Sequence, residues 1–523
     1  MKKFCIGKER KYDIICYIVM ALFALAMLLL FSRETSPLFG SAYNKMDSIQ
    51  YKLAGKMMLD GYVPFKDFFQ QKGVSFFYIQ AIGEFFCKLF NDNRFGTFFI
   101  QYINFIAIFG FMFSIAKILL KKVCEKPGLI RGISLLAMCP AMYVYVSTFV
   151  CGNYTEEYSV LFNVISVWLG VKYIDKIDES NPESYIHKPV YALAHAVLFS
   201  FAFWVRPNNC ISVCTNVAFI VVILLIKKQY KNLLHNAGLF IAGFVGSTAL
   251  FLSYYIFNGA ISDVIYGQFG INFKYVSANS KTVFVFLLPL VLCILYGLYM
   301  LLIKKSDFIL ALLCEISSVF MLLMYLVLGS QYPHYNMFIM VPVFLFTLLV
   351  LRNVTYNSFK NIFCLNIIIP LVLFCGASYI YTVRIYDESY YSIKSIIAIH
   401  DGKQVKESDA ERIGKELQKI IPEESRDDIY VYPGNIDCYQ IYYYADVYPF
   451  YKNLNPVWYE SIGAEKDVEL FYEHLYNDPP EYVVVNESVT EETDYIDRTE
   501  VFIETECELW YEGEGFKVFV KKG

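Results

Sequence analysis

Charge is scarce in this chain. Only 18% of its 523 residues are Asp, Glu, Lys or Arg, and they sum to a net charge of −4. A chain without a basic excess carries no electrostatic footprint for a polyphosphate, which argues against nucleic acid as a partner. Metal motifs are missing as well. The fourteen cysteines are scattered, mostly inside apolar runs, and none falls in a CxxC or Cys/His spacing that would build a zinc site. Cys438 and Cys507 leave two readings open: a disulfide if the C-terminal stretch lies outside the cytoplasm, or two small buried thiols. No A-x-A cleavage site follows the first apolar run, which therefore reads as a signal anchor. Internal repeats and low-complexity segments are also absent.

What the chain has instead is apolar length. Hydrophobic residues make up 57% of it, against about 45–50% in a soluble domain. They gather in runs of about 17–25 residues, long enough to cross a hydrocarbon core as helices. Lys2, Lys3, Lys8, Arg10 and Lys11 precede the first run and place the N-terminus in the cytoplasm. The stretch Val74 to Phe90 decides the topology. If it crosses, the lysines at 121–126, 227–231 and 304–305 all become external. If it lies on the membrane surface as an amphipathic helix, all of them fall inside. Three separate loops favour the surface reading. It gives about eleven crossings, at 14–31, 96–119, 129–149, 157–174, 190–205, 211–226, 236–257, 283–303, 308–328, 336–351 and 361–382.

The expected architecture is an α-helical polytopic membrane protein in two parts. Residues 1–383 form the transmembrane part, with a long first external loop at 32–95 that carries surface helices. Residues 384–523 form a small extracytoplasmic α/β domain. In that tail the pattern predicts a helix over 408–420 starting at Ser408, strands at 429–433 and 481–485, a helix from Asp467 to Tyr476, and a hairpin over 506–522 turning at Gly513 and Gly515.

The polar residues fall mostly on one side of this plan. Asn44 to Gly73 keeps Asp47, Asp60, Asp67 and five lysines beside a membrane anchor. The later external loops add Gly152-Asn153-Tyr154-Thr155-Glu156-Glu157, then Arg206-Pro207-Asn208-Asn209, then Tyr332-Pro333-His334-Tyr335. Ionisable groups at the ends of membrane helices are functional candidates. Carboxylates and cations converging at one face would bind a phosphate next to a general base. Each has a plainer reading. Asp47 is placed to cap the helix that follows. Asp67 is placed to cap a turn or pair with Lys66, and Lys72 to anchor a surface helix by snorkelling. Glu156 and Glu157 suit the positive end of a helix dipole. Arg206 marks an interface, and His334 suits a satisfied loop histidine.

The order Met46-Asp47-Ser48, then Gly61-Tyr62-Val63-Pro64-Phe65-Lys66-Asp67-Phe68-Phe69, then Gln71-Lys72-Gly73 resembles the first periplasmic loop of bacterial glycosyltransferases of the GT-C fold. The branch includes the protein O-mannosyltransferases (family 39) and the lipid A aminoarabinose transferases. GNYTEEY at 152–158 and VRPNN at 205–209 are similar to motifs of bacterial members of that branch. The resemblance implies a bacterial cell-membrane glycosyltransferase with a polyprenyl-phosphate-linked sugar as donor. Its acceptor would be a hydroxyl of an envelope glycan, lipid or protein, glycosylated outside the cytoplasm. The family's catalytic acid falls on Asp47 and its phosphate-binding cation on Lys72. The acid of the second loop falls on Glu156 or Glu157, where it would orient the acceptor or hold a divalent metal such as Mg or Mn. Arg206 and His334 would assist at the phosphate, and Asp67 fits the motif as a further substrate-binding position. Two departures stand out. The Lys-Gly-Pro or Lys-Pro-Pro ending is Lys72-Gly73-Val74 here, and a glutamate pair replaces the aspartate of aminoarabinose transferases. The competing classes are a flippase or transporter of lipid-linked intermediates and a glycan polymerase. A transporter would carry charge at the membrane midplane, where these helices have little besides Glu315.

Overall fold

The computed structural model describes residues 2–43, 47–122, 126–149, 151–178, 180–279, 282–305, 307–329, 332–356, 374–376, 378–404, 407–433, 436–452, 456–487 and 494–522. Among these, nine helical segments are long and apolar enough to cross a membrane: Arg10–Phe31, Phe95–Leu120, Pro127–Thr148, Pro182–Val205, Pro207–Ile226, Tyr230–Phe257, Phe284–Lys304, Phe308–Leu328 and Pro333–Asn353. The chain is a multi-pass membrane protein. Pro333–Asn353 is the most enclosed of the nine and Tyr230–Phe257 the least. The latter exposes Leu234, Ile241, Val245, Leu250 and Phe257, an apolar face that suits lipid rather than water.

The fourth expected crossing, 157–174, is the helix Thr155–Ile174. Glu156, Glu157, Asn163 and Lys172 make it more polar than the nine. The eleventh, 361–382, lies largely outside the described residues. A helix from Tyr379 to His400 runs through its expected end. No Pro or Gly interrupts that stretch, so the helix has no local reason to stop at 382.

Two helices of the first loop position the site. The first, Ser48–Leu59, starts at Asp47. The second is Val74–Phe90, with the bounds expected of the surface helix, and it ends on Asn91 in the left-handed conformation, a common stop signal. One of its faces buries Val74, Phe76, Phe77, Ala81 and Cys87, while Ile82, Phe85, Leu89 and Phe90 are exposed. An apolar outer face on a helix of 17 residues fits an interfacial position.

The C-terminal part is a four-stranded sheet flanked by helices. β1 is Ile429–Tyr432, β2 Tyr482–Asn486, β3 Cys507–Gly513 and β4 Phe516–Lys521, in the order β1-β2-β4-β3. β1 and β2 are parallel, with Ile429 opposite Tyr482. β4 is antiparallel to both its neighbours. The helix Asp409–Ile420 starts as its sequence indicates, because Ser408 accepts a hydrogen bond from the Glu411 N–H at 3.0 Å. Cys438 and Cys507 are buried in separate clusters, and no disulfide joins them.

This part is clasped to the first loop. Tyr443, on the helix Ile436–Ala445, donates to Glu84 at 2.8 Å, and its carbonyl accepts from Lys56 at 3.0 Å. Lys56 also pairs with Asp446 at 2.6 Å, and the Phe69 N–H donates to the Lys452 carbonyl at 2.8 Å. Glu84 is buried, and burial raises its carboxyl above the ordinary range, partly offset by Lys52, the Tyr443 hydrogen bond and Lys56.

Candidate active site

Asp47 occupies the N-cap position of Ser48–Leu59, yet its side chain makes no capping hydrogen bond. Instead its Oδ2 accepts from the Tyr51 hydroxyl at 2.8 Å. Tyr51 is one turn further along the same helix and is fully buried against Phe76. The carboxylate is therefore held from below and remains half-exposed.

Lys72 follows, at the end of the loop. It is 6% exposed, and its ammonium lies 5.5 Å from the Tyr51 ring centre. Gly73 explains how it gets there. Its N–H donates to the Val205 carbonyl at 2.9 Å, and a Cβ at Gly73 would fall 2.7 Å from that carbonyl oxygen and collide with the Trp204 carbonyl. Only glycine lets the loop tuck against the end of the helix Pro189–Val205. Lys72 is thus delivered to the residue that follows that helix, Arg206.

Arg206 is 7% exposed and donates to Glu156 Oε1 at 3.1 Å. Its second nitrogen donates to the Tyr335 hydroxyl at 3.2 Å, and the guanidinium lies 4.6 Å from the centre of the Tyr335 ring. Glu156 is 1% exposed, and its other oxygen accepts from the Thr155 hydroxyl at 2.8 Å. Burial disfavours the Arg206 charge, but Tyr335 and Glu156 outweigh it and raise its pKa above the ordinary value. Lys72 goes the other way. Burial and the neighbouring Arg206 lower it to about 8, and Asp47 and Glu156 offset only part of this. His334 closes the group: its ring stacks on Tyr154 at 4.2 Å, and it lies within electrostatic reach of Glu156, Asp47, Lys72 and Arg206.

The adjacent glutamates face different surroundings. Glu157 Oε2 accepts from Gln101 at 3.0 Å and from the Asn153 N–H at 2.8 Å. Asn153 is in turn bound to Gln80, Ser48 and Tyr158. This buried network holds a strained loop, because Cys151, Gly152 and Asn153 all have positive φ. Gly152 tolerates its φ of +88°, and a Cβ there would meet the Gln101 amide at 2.8 Å. Glu157 thus frames the loop that presents Tyr154 and Glu156. Asp67 also lies apart from the cluster. Its carboxylate accepts from the Val63 N–H at 2.7 Å and closes the turn that buries Phe65 and Phe68.

The structure brings together Asp47, Lys72, Glu156, Arg206 and His334 from four stretches of the chain. Sequence reasoning missed the tyrosines that orient them, Tyr51, Tyr154 and Tyr335. Among the described residues, no three His, Cys, Asp or Glu side chains form a group able to hold a metal ion. The two site carboxylates sit among Lys72, Arg206 and His334, surroundings that suit an anion and do not fit Mg or Mn.

A cavity of about 280 Å³ opens beside the cluster. Arg206 and Tyr335 form its polar end, and Phe269, Phe273, Met324 and Leu328 line its apolar walls. It can accept a molecule with an anionic head and a hydrocarbon body.

The helical membrane bundle, the two helices of the first loop and the C-terminal sheet together have the GT-C fold. The solved structures it resembles include ArnT from Cupriavidus metallidurans bound to undecaprenyl phosphate, with a TM-score of 0.58 and 11% identity over 96% of this chain and 97% of that one. The apo state of the same protein gives 0.55 and 10% identity over 98% of each chain. The likeness is one of fold. No family model and no curated protein matches the sequence.

Proposed function

We propose that this chain is a membrane glycosyltransferase that moves a hexose or pentose from a polyprenyl-phosphate donor to an acceptor hydroxyl. Transfer takes place at the outer face of the cytoplasmic membrane, with the N-terminus inside and residues 384–523 outside. The acceptor is an envelope glycan, lipid or protein. The observation that carries this is the convergence of two buried cations and two carboxylates in a cluster whose Arg206 lines the polar end of an otherwise largely apolar cavity.

In the proposed reaction the donor phosphate lies against Lys72 and Arg206, and its chain lies along the apolar wall. Lys72 makes no ion pair among the described residues, so its charge is available to an incoming anion. The acceptor oxygen attacks the anomeric carbon from the face opposite the phosphate. One C–O bond forms, the C–O bond to phosphate breaks, and the electron pair leaves on the lipid phosphate. The configuration inverts. Asp47 takes the proton of the acceptor hydroxyl. Lys72 and Arg206 stabilise the charge that grows on the leaving phosphate, with His334 beside them. Glu156 fixes the Arg206 guanidinium, and Glu157 and Asp67 frame the loops. Purified protein incubated with candidate polyprenyl-phosphate sugars and an envelope extract should release free lipid phosphate. No release from any hexose or pentose donor would refute the reading.

Lys72 gives this reading a pH signature. Its ammonium, lowered to about 8, is mostly charged at pH 7 and mostly neutral at pH 9. A lipid phosphate monoester has its second pKa near 6 and is already mostly dianionic at pH 7, so this window reports chiefly the protein rather than the ligand. Affinity for polyprenyl phosphate should fall as the pH rises from 7 to 9. Lys72→Arg should flatten that dependence, since a guanidinium stays charged throughout. Lys72→Ala should weaken binding at every pH. A flat wild-type profile would mean that Lys72 does not meet the phosphate.

A further inference from the structure

One polar side chain in the cavity has no task in the reaction described so far. The chain from Ile261 to Asn279 is helical but changes at Tyr266–Ile271 into a π-helical turn. Such turns widen a helix by one residue and recur at functional sites. Gln268 sits in this turn, 1% exposed, and both its Oε1 and its Nε2 lack a hydrogen-bond partner among the described residues. Buried carboxamides without partners are rare, because each bare donor and acceptor forfeits its hydration.

The turn is fixed in place. Asn272 Nδ2 donates to the Gln268 carbonyl at 3.0 Å and to the Gln71 carbonyl at 3.0 Å. Gly267 packs against the ring of Phe65. The Gln268 amide lies against the backbone of Gly73, where a Cβ would be 2.7 Å from Oε1. It therefore packs on the residue that follows Lys72 in the chain, and Gln268 lines the same cavity as Arg206 and Tyr335.

The hydrogen-bonding inventory selects what such a group binds. A sugar-phosphate diester presents only acceptors at its phosphate, and these are matched by Lys72 and Arg206. Hydrocarbon presents nothing. A carboxamide with one bare donor and one bare acceptor is complementary to neighbouring hydroxyls, each of which donates and accepts. We infer that Gln268 is a specificity-determining residue that binds hydroxyl groups of the donor sugar. This inference rests on the donor reading proposed above.

The test uses the purified full-length protein, with undecaprenyl phosphate and a set of undecaprenyl-phosphate hexoses and pentoses as probes. Wild type should bind at least one sugar-bearing lipid more tightly than the bare lipid phosphate. Gln268→Met removes the amide at similar volume, and Gln268→Leu is the second variant should the first fold poorly. Loss of the hydrogen bonds should cost about tenfold in affinity for that donor, with binding of bare undecaprenyl phosphate unchanged. Thermal stability without ligand should hold or rise, because an unpaired amide leaves an apolar cavity. Equal losses for bare and sugar-bearing lipid would place Gln268 at the phosphate and overturn the inference. So would an unchanged preference for the sugar. A wild-type protein that binds no undecaprenyl phosphate would instead refute the donor reading, and the sugar assignment with it.

Discussion

Asp47→Asn is expected to reduce sugar transfer by about 10²- to 10⁴-fold, the range set by loss of a positioned general base, while the protein folds and binds polyprenyl phosphate as before. The substitution isolates chemistry because of how Asp47 is held. Its carboxylate accepts one hydrogen bond from Tyr51 at 2.8 Å and makes no capping bond to the helix it begins. An asparagine oxygen accepts the same bond in the same volume, and asparagine is also a good N-cap residue. What it cannot do is take a proton at neutral pH. The lipid phosphate should still bind, because the cations that meet it are Lys72 and Arg206. Rate, thermal unfolding and lipid-phosphate affinity measured on one purified sample check all three statements. A normal rate would remove Asp47 from the reaction. A lost rate together with lost affinity would make it part of the binding site instead.

Asp47 was legible in the sequence for a simple reason. A charged residue beside an anchor of apolar helices stands out against its surroundings, and Lys72 and Arg206 are visible in the same way. The helices and strands were legible where the period was clear, as in the Ser408 cap of Asp409–Ile420 or the apolar run Tyr482–Asn486. Where composition gave no contrast, the sequence was silent. Tyrosine occurs 44 times, so nothing marked Tyr51, Tyr154 or Tyr335 as the residues that orient the site. The helix Ile436–Ala445, IDCYQIYYYA, carries Tyr442, Tyr443 and Tyr444 in a row and has no readable period. The choice between Glu156 and Glu157 was closed to sequence for another reason. Neighbours on a helix point about 100° apart, and which one enters the site depends on Gln101 and Arg206, each some fifty residues away. Gln268 was hidden because a π-helical turn is a tertiary accommodation, here imposed by contacts to Phe65, Gln71 and Gly73.

Arg206→Gln should be the most damaging single change at the site, for two reasons that a second substitution separates. Arg206 and Glu156 are both buried, joined at 3.1 Å. Removing one partner of such a pair leaves an uncompensated charge and costs about 3–5 kcal/mol. Glu156 keeps the Thr155 hydroxyl and the fields of His334 and Lys72, neither of which forms an ion pair with it among the described residues, and these do not replace a hydrogen-bonded guanidinium. Stability and donor binding should therefore fall together in Arg206→Gln. Adding Glu156→Gln removes the orphaned charge, so the double variant should regain most of the lost stability as read by thermal unfolding. It should not regain transfer. Its site keeps one phosphate-binding cation in place of two, and Tyr335 has lost the donor that orients it. Recovered fold with absent activity assigns Arg206 to the leaving phosphate. A double variant that recovers both would mean that Arg206 serves only to neutralise Glu156, and the phosphate would then rest on Lys72 alone.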